Sequence, residues 1–143
     1  MPTATLTVRD LMTADVVTIS MDDTLRSAKQ IFEKRRFHHL IVVDNGRPVG
    51  VISDRDLLKN ISPFVGVRFN ERPQDTETLR RRVHQVMTRK LVSVQPESTP
   101  AEAARLLLAN RVSCLPVIDA KENLLGILTT KDLIRWLVMD QGL

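Results

Sequence analysis

Two copies of one short motif carry the residue types best suited to chemistry in this chain. Residues 50–56 read Gly-Val-Ile-Ser-Asp-Arg-Asp, and residues 126–132 read Gly-Ile-Leu-Thr-Thr-Lys-Asp. In each copy an apolar run stops at a hydroxyl residue, Ser53 or Thr129, and an aspartate, Asp56 or Asp132, follows three positions later. A hydroxyl at this spacing caps a helix, and the N-terminus of a helix favours an anion. The motif therefore predicts a capping box, an anion site, or both together.

The carboxylates of the motif do not by themselves indicate catalysis. Asp54 and Asp56 are close in sequence, but paired acids catalyse a reaction only with a positioned substrate bond and a perturbed pKa. The sequence shows no set of nucleophile, base and orienting residue, and Cys114 lies in an apolar run that makes it a poor nucleophile. This lone cysteine predicts a buried thiol in a reducing compartment. We therefore expect no enzymatic activity.

Two adjacent histidines, His38 and His39, are the most plausible metal ligands. Consecutive residues at the start of a strand point in opposite directions, and no third ligand is near them in the sequence. We therefore do not predict a metal site. A solvated side chain is the default expectation for His38.

Composition and charge limit the classes of partner. The chain has 143 residues, of which 43% are hydrophobic and 3% aromatic, and no apolar stretch approaches the roughly 20 residues that span a bilayer. With no secretory signal pattern, we expect a cytoplasmic protein without a membrane partner. The net charge of +4 permits binding of phosphorylated ligands or nucleic acid and does not choose between them. A basic run, Arg80, Arg81 and Arg82 with Arg89 and Lys90, leaves nucleic-acid binding as an alternative, but no recognised motif accompanies it and a solvated helix face is preferred.

The elements that position the motif also occur twice. An offset of 75 positions aligns Met12-Thr13 with Met87-Thr88, an offset of 76 aligns Gly50 with Gly126, and the two offsets together give twelve identical pairs. We interpret this as a duplication in which each copy runs strand, helix, strand, strand, helix. The predicted strands are residues 16–19, 40–43 and 49–53, then 91–94, 115–118 and 124–129. The predicted helices follow Thr24, Ser53, Thr99 and Thr129.

Residues 62–84 belong to neither copy and form a linker. Its first part, residues 62–74, contains Pro63, Gly66 and Pro73 and is predicted to be irregular. From Asp75 onward, apolar residues recur at helical spacing and predict a short helix with its arginines exposed.

This arrangement resembles the tandem CBS domain pair, often called a Bateman module. The resemblance rests on the Met-Thr pair that opens each copy, the Leu-Pro-Val-Ile-Asp run at residues 115–119 and the doubled motif. It covers repeats at residues 10–61 and 85–139, and Ile41 stands where the family usually has a proline. It implies an α+β fold of two CBS repeats packed as a pseudo-twofold pair. It also implies two clefts between the repeats that commonly bind adenosine nucleotides, without catalysis.

The resemblance further implies which residues bind the ligand. Ser53 and Thr129 are expected on a phosphate, and Asp56 and Asp132 on the ribose hydroxyls. The expected phosphate neighbours are Arg55, Lys131, His38, His39 and Ser113, and the expected adenine neighbours are Val16, Val17, Thr18, Leu91, Val92 and Ser93. AMP, ADP and ATP are the expected ligands, with S-adenosylmethionine and NADH left open.

The predicted function is that of a stand-alone regulatory module that senses adenine nucleotides and acts on an unknown effector protein, with no required cofactor. A homodimer is expected because residues 133–139 are apolar around most of a helix, more than one buried face requires. The alternatives are an interaction scaffold with vestigial ligand sites and a basic nucleic-acid-binding module.

Overall fold

The structure, a computed structural model, describes residues 6–35 and 38–140. Its helices are α1 (Val8–Leu11), α2 (Leu25–Lys34), α3 (Asp54–Asn60), α4 (Pro73–Glu77), α5 (Pro100–Asn110) and α6 (Thr130–Asp140). Its strands are β1 (Thr18–Ser20), β2 (His39–Asp44), β3 (Arg47–Ser53), β4 (Cys114–Ile118) and β5 (Leu124–Thr129). The mixture of helices and strands confirms the predicted α+β class. The chain divides into a central unit, Val17–Leu91, and a terminal unit made of the described parts of Met1–Val16 and Val92–Leu143.

The central unit is built on a three-stranded sheet in the order β1-β2-β3. Strand β1 runs parallel to β2, with Thr18 beside Ile41, and β2 runs antiparallel to β3, with His39 beside Ser53. The turn between β2 and β3 has φ values of 51° at Asn45 and 79° at Gly46, which confirms the turn predicted there. The buried core of this unit consists of Ile19, Leu25, Ala28, Leu40, Val42, Ile52, Leu57, Val83 and Met87.

The first helix of each repeat begins at the predicted threonine. Thr24 Oγ1 accepts the N–H of Ser27 at 3.3 Å, and α2 follows. Thr99 Oγ1 accepts the N–H of Glu102, whose Oε2 accepts the N–H of Thr99, both at 3.1 Å. Local capping chemistry therefore fixes both helix starts.

The terminal unit has a smaller sheet than predicted, formed by β4 and β5 alone. The strand predicted at residues 91–94 is wrong, because only an isolated parallel bridge joins Val94 to Val117. Pro116 has no N–H and so cannot donate to the segment around Val94. Its carbonyl accepts the N–H of Val94 at 3.0 Å. At the corresponding position of the central unit, Ile41 is part of a three-residue pairing with β1.

The leading segment of each repeat, which contains its Met-Thr pair (Met12-Thr13 or Met87-Thr88), packs in the unit that holds the motif of the other repeat. Thr13 and Ile127 of the terminal unit exchange two backbone hydrogen bonds of 2.9 Å, and Thr88 and Val51 of the central unit exchange two of 2.9 and 3.1 Å. Each Met-Thr pair therefore lies against the motif strand of the other repeat. The unpredicted helix α1 belongs to this exchange, since its Val8 is fully buried in the terminal core. The compact units and the repeats at residues 10–61 and 85–139 have different boundaries for this reason.

The linker contains less continuous helix than its apolar spacing predicts. Helix α4 is followed by two separate 3₁₀ turns, Thr78–Arg80 and Val83–Gln85. The break falls at Arg81, which is extended (φ −58°, ψ 148°) and accepts at its carbonyl the N–H of Leu25 at 2.8 Å. Bonding to the start of α2 thus replaces continuation of the helix. The predicted exposure of the arginines at positions 80–82 is confirmed.

Candidate functional site

In the central unit, the hydroxyl and the aspartate of the motif hold each other at the start of α3. Ser53 Oγ accepts the N–H of Asp56 at 3.0 Å, and Asp56 Oδ2 accepts the N–H of Ser53 at 3.0 Å. This is the reciprocal capping box that the spacing predicts. It fixes the positions of two side chains that were expected to contact a ligand.

In the terminal unit, the same box forms with an additional ion pair. Thr129 Oγ1 accepts the N–H of Asp132 at 3.2 Å, and Asp132 Oδ2 accepts the N–H of Thr129 at 2.9 Å. Asp132 is buried, and Arg135 donates to its Oδ1 at 3.3 Å. Sequence reasoning overlooked Arg135, although a basic residue three positions after an acid on a helix is a usable signal.

His38, which precedes β2, and Ser113, which precedes β4, are each hydrogen-bonded to the first residue of the helix that follows the motif hydroxyl, α3 or α6. The carbonyl of His38 accepts the N–H of Asp54 at 2.9 Å, and the carbonyl of Ser113 accepts the N–H of Thr130 at 3.0 Å. Both residues were predicted as phosphate neighbours, and the structure places each beside the first turn of the motif helix in its own unit. Thr130 Oγ1 also donates to the Ser113 carbonyl at 3.3 Å, a contact that the sequence did not indicate.

The two histidines have different surroundings. His38 is exposed, and its Nδ1 lies 2.7 Å from Oδ2 of Asp54. His39 pairs with Ser53 in the sheet. Burial lowers the pKa of the His39 imidazole, an effect that the charges of Asp54 and Asp56 oppose and a charge on His38 reinforces. His39 therefore favours its neutral form at neutral pH.

The basic residues of the motif, Arg55 and Lys131, are both exposed in the first turn of their helices. Each lies between the hydroxyl and the aspartate in sequence, where a helix N-terminus already favours an anion. The structure therefore places one exposed positive side chain in the first turn that follows each hydroxyl.

The predicted adenine neighbours are divided between the two units. Val17, Thr18 and Leu91 belong to the central unit, whereas Val16, Val92 and Ser93 belong to the terminal unit. Val17 and Val92 pack against the cores of their own units, so each has a structural role of its own. Thr18 and Ser93 are exposed.

The chemistry available at these residues is that of binding. A carboxylate has about four lone-pair sites, so an aspartate that accepts one backbone N–H can also accept ribose hydroxyls. Burial raises the pKa of the Cys114 thiol to about 11, which favours the unreactive thiol and confirms its predicted burial. Among residues 6–35 and 38–140, no cluster of three His, Cys, Asp or Glu side chains is arranged to hold a metal ion. No helix in this part of the chain has the length and apolarity needed to cross a membrane.

Comparisons with known proteins match both repeats. The family model of the CBS domain matches residues 8–63 and 83–139. A CBS domain-containing protein of Dictyostelium discoideum is 37% identical over 134 residues, which cover 92% of this chain and 90% of the relative. A CBS domain-containing protein of Bacillus subtilis is 29% identical, with 88% of this chain and 81% of the relative covered.

Two solved structures show the same fold. The structure of CBSX2 in complex with AMP has a TM-score of 0.77 and 29% identity, covering 94% of this chain and 98% of that one. A CBS-domain containing protein from Agrobacterium tumefaciens has a TM-score of 0.71 and 26% identity, covering 90% of this chain and 96% of that one. The chain resembles nucleotide-binding regulatory modules in fold. With both repeats matched by the family model and a reciprocal capping box in each unit, this chain belongs to the CBS domain family as a pair of CBS repeats.

Proposed function

We propose that this chain is a regulatory module that binds an adenine nucleotide, AMP, ADP or ATP, at its two motifs. The observation that carries the proposal is the reciprocal capping box that occurs once in each unit, at Ser53 with Asp56 and at Thr129 with Asp132. The AMP complex of CBSX2, which is 29% identical to this chain over 94% of its length, supports an adenine nucleotide as the ligand.

The proposed roles follow from the chemistry of each group. Phosphate oxygens meet the hydroxyl, the helix N-terminus and the exposed Arg55 or Lys131. Asp56 and Asp132 accept hydrogen bonds from ribose hydroxyls, which a fixed carboxylate recognises without a change of rotamer. The adenine of one ligand lies near Val16, Val17 and Thr18, and that of the other near Leu91, Val92 and Ser93. A ligand bound in this way biases the module toward one state, which an effector protein then recognises.

The capping boxes also support a second candidate function. Each hydroxyl and aspartate already has its partner within the box, so the motif is structurally complete without a ligand. An interaction scaffold that retains the motifs only as helix caps is consistent with this observation. Ligand-dependent stabilisation separates the two functions, because a scaffold has no site that is specific to the folded state.

Thermal unfolding with and without AMP, ADP and ATP tests the proposal. Ligand at 100 times its dissociation constant stabilises the folded state by about 2.7 kcal/mol. Asp56→Ala and Asp132→Ala should each lose part of this shift, measured against the unliganded midpoint of the same variant, because both also weaken a helix cap. Glu97→Ala, which removes an exposed carboxylate elsewhere, should keep the full shift. The absence of any shift with millimolar nucleotide in the parent chain would refute the sensing function.

A further inference from the structure

The excess positive charge of the chain is confined to residues 62–90. This segment holds seven Lys and Arg against three Asp and Glu, so its net charge of +4 equals that of the whole chain. All seven basic residues are exposed: Arg68, Arg72, Arg80, Arg81, Arg82, Arg89 and Lys90. One of the three acids, Asp75, is buried. An anionic surface is therefore attracted to this segment more than to the rest of the chain.

Within this segment, two carboxylates accept hydrogen bonds from the backbone of the loop at residues 63–72 and from hydroxyls that flank it. Glu71 accepts the N–H of Gly66 at 2.8 Å and the hydroxyl of Thr76 at 2.6 Å. Asp75 accepts the hydroxyl of Ser62 at 2.7 Å. The two carboxylates thus organise the loop through local hydrogen bonds, and the loop has a defined shape.

The loop presents apolar side chains to solvent beside its arginines. Phe69 is 92% exposed, and Phe64 and Val67 are also exposed. Phe69 has a φ of 72°, a conformation that a bulky side chain rarely adopts. The guanidinium of Arg68 lies 5.0 Å from the Phe69 ring centre, and that of Arg72 lies 5.8 Å from the Phe64 ring centre. At this exposure Phe69 contributes little to the core, and its side chain is accessible to a partner.

We propose that the loop at residues 63–72 docks the protein on a membrane surface that contains anionic lipids. Exposed apolar side chains beside basic ones are the combination that binds a lipid interface, where the rings enter the boundary between headgroups and acyl chains. Arg68 pairs with a lipid phosphate, for which a guanidinium is well suited, whereas the guanidinium of Arg72 is held by Asp75 at 3.2 Å. This docking is peripheral and needs no membrane-spanning helix, and it is an alternative to the expectation that the protein has no membrane partner.

Single-stranded nucleic acid fits the same loop less well. Bases bind to exposed aromatic faces, but a guanidinium already covers one face of each ring, and the third apolar residue, Val67, cannot stack on a base. At a lipid interface, by contrast, an aliphatic side chain contributes as a ring does, in proportion to its buried area.

Cosedimentation of the full chain with vesicles tests this docking. We expect binding to mixed phosphatidylcholine and phosphatidylglycerol vesicles, weakening as salt increases, and no binding to phosphatidylcholine alone. Phe69→Asn, whose side chain suits a positive φ, should weaken binding about tenfold. Arg68→Gln should weaken it about fivefold. If circular dichroism shows that Phe69→Asn does not fold, Val67→Ser makes the same test.

The matched controls are Leu108→Asn and Arg105→Gln, an exposed apolar and an exposed basic residue of α5 in the terminal unit, and both should bind as the parent does. The proposal is overturned if the parent does not bind anionic vesicles, or if loop and control variants behave alike. Tighter binding to single-stranded oligouridylate than to vesicles, lost in Phe69→Asn, would assign the loop to nucleic acid and also overturn it.

Discussion

His38 Nδ1 lies 2.7 Å from Oδ2 of Asp54, at the first residue of the helix that follows Ser53. The terminal unit has neutral residues at the two corresponding positions, Ser113 and Thr130, which are joined through the Ser113 carbonyl. The starts of the two motif helices therefore carry different charges, although their capping boxes are the same. We expect a phosphorylated ligand to bind the two motifs differently for this reason, and a neutral nucleoside to discriminate much less between them.

We expect AMP to bind more tightly at the Thr129 motif than at the Ser53 motif. A carboxylate about 6 Å from a phosphate costs on the order of 2–3 kcal/mol at an effective dielectric near 20, before solvent and salt reduce it. Because Asp54 is partly exposed, Asp54→Asn should increase AMP affinity at the Ser53 motif by only about fivefold. Calorimetry in an Asp132→Ala background isolates that motif.

Adenosine is the control for this charge effect, because Asp54→Asn should leave its affinity nearly unchanged. His38→Asn removes a partner of Asp54 and should weaken AMP binding at the same motif. Equal AMP affinities at the two motifs, measured with Asp56→Ala and Asp132→Ala, would contradict the electrostatic argument.

A methyl group at either motif glycine should destabilise the protein. A Cβ at Gly126 would lie 2.6 Å from Met12 Sδ and 2.7 Å from the Thr13 carbonyl oxygen, and a Cβ at Gly50 would lie 2.6 Å from the Thr88 carbonyl oxygen. Because backbone must move, Gly50→Ala and Gly126→Ala should each lower the free energy of unfolding by about 1–3 kcal/mol. Urea unfolding followed by circular dichroism measures the change.

Gly46→Asn is the control for the glycine variants. Gly46 has a φ of 79° and no atom within 4 Å of a built Cβ, and asparagine tolerates this conformation. Its free energy of unfolding should change by less than about 0.5 kcal/mol. Parent-like stability of both alanine variants would show that the leading segments do not pack tightly on the glycines.

Lowering the pH should remove the contribution that ionised Asp75 makes to the free energy of unfolding. Hydrogen bonds from Arg72 and Ser62 lower the pKa of this carboxyl from 3.8 to about 2. A depressed pKa in the folded state contributes stability above the unfolded value, and this stability is lost as the pH falls from about 4 toward 2. The difference in unfolding free energy between the parent and Asp75→Asn should therefore shrink over this pH range.

Glu77→Gln provides the comparison for acid unfolding, since Glu77 is exposed and forms a 3.6 Å pair with Arg80. Its difference from the parent should stay small at every pH, as for most surface ion pairs. A constant difference for Asp75→Asn between pH 4 and 2 would show that its carboxyl is not stabilised as proposed.

Helix α6 leaves several apolar side chains exposed, including Ile134, Val138 and Met139. Burying them between two copies is favourable, so light scattering should show a species of about twice the 16.2 kDa of one chain. Ile134→Glu should shift the distribution to monomers, whereas Leu58→Glu on α3, also at an exposed apolar position, should not. A monomer across a wide range of concentrations would refute the dimer.

Features fixed by neighbouring residues could be predicted from the sequence. The caps at Thr24 and Thr99, the turn at Asn45 and Gly46 and both motif boxes need only a hydroxyl, a carboxylate or a glycine at the right spacing. The roles assigned to these residues in ligand binding stay predictions.

Features decided by distant partners could not be predicted. The helix expected in the linker breaks at Arg81, because the carbonyl of Arg81 accepts the N–H of Leu25 at the start of α2. The strand expected at residues 91–94 is only a single bridge, because Pro116 in β4 has no N–H to pair with it. Both copies open with Met-Thr, so local sequence does not specify which motif strand each pair adopts. That choice depends on tertiary packing.

The exchange of leading segments has a consequence for synthesis on the ribosome. The central unit is one continuous stretch, so it can close as soon as residues up to Leu91 have emerged. Val8 is made earlier but belongs to a core that includes Leu128 and Leu133, near the other end of the described chain. Helix α1 is therefore buried only after the residues around Leu128 and Leu133 have been made, and its apolar face must stay solvated or chaperoned until then.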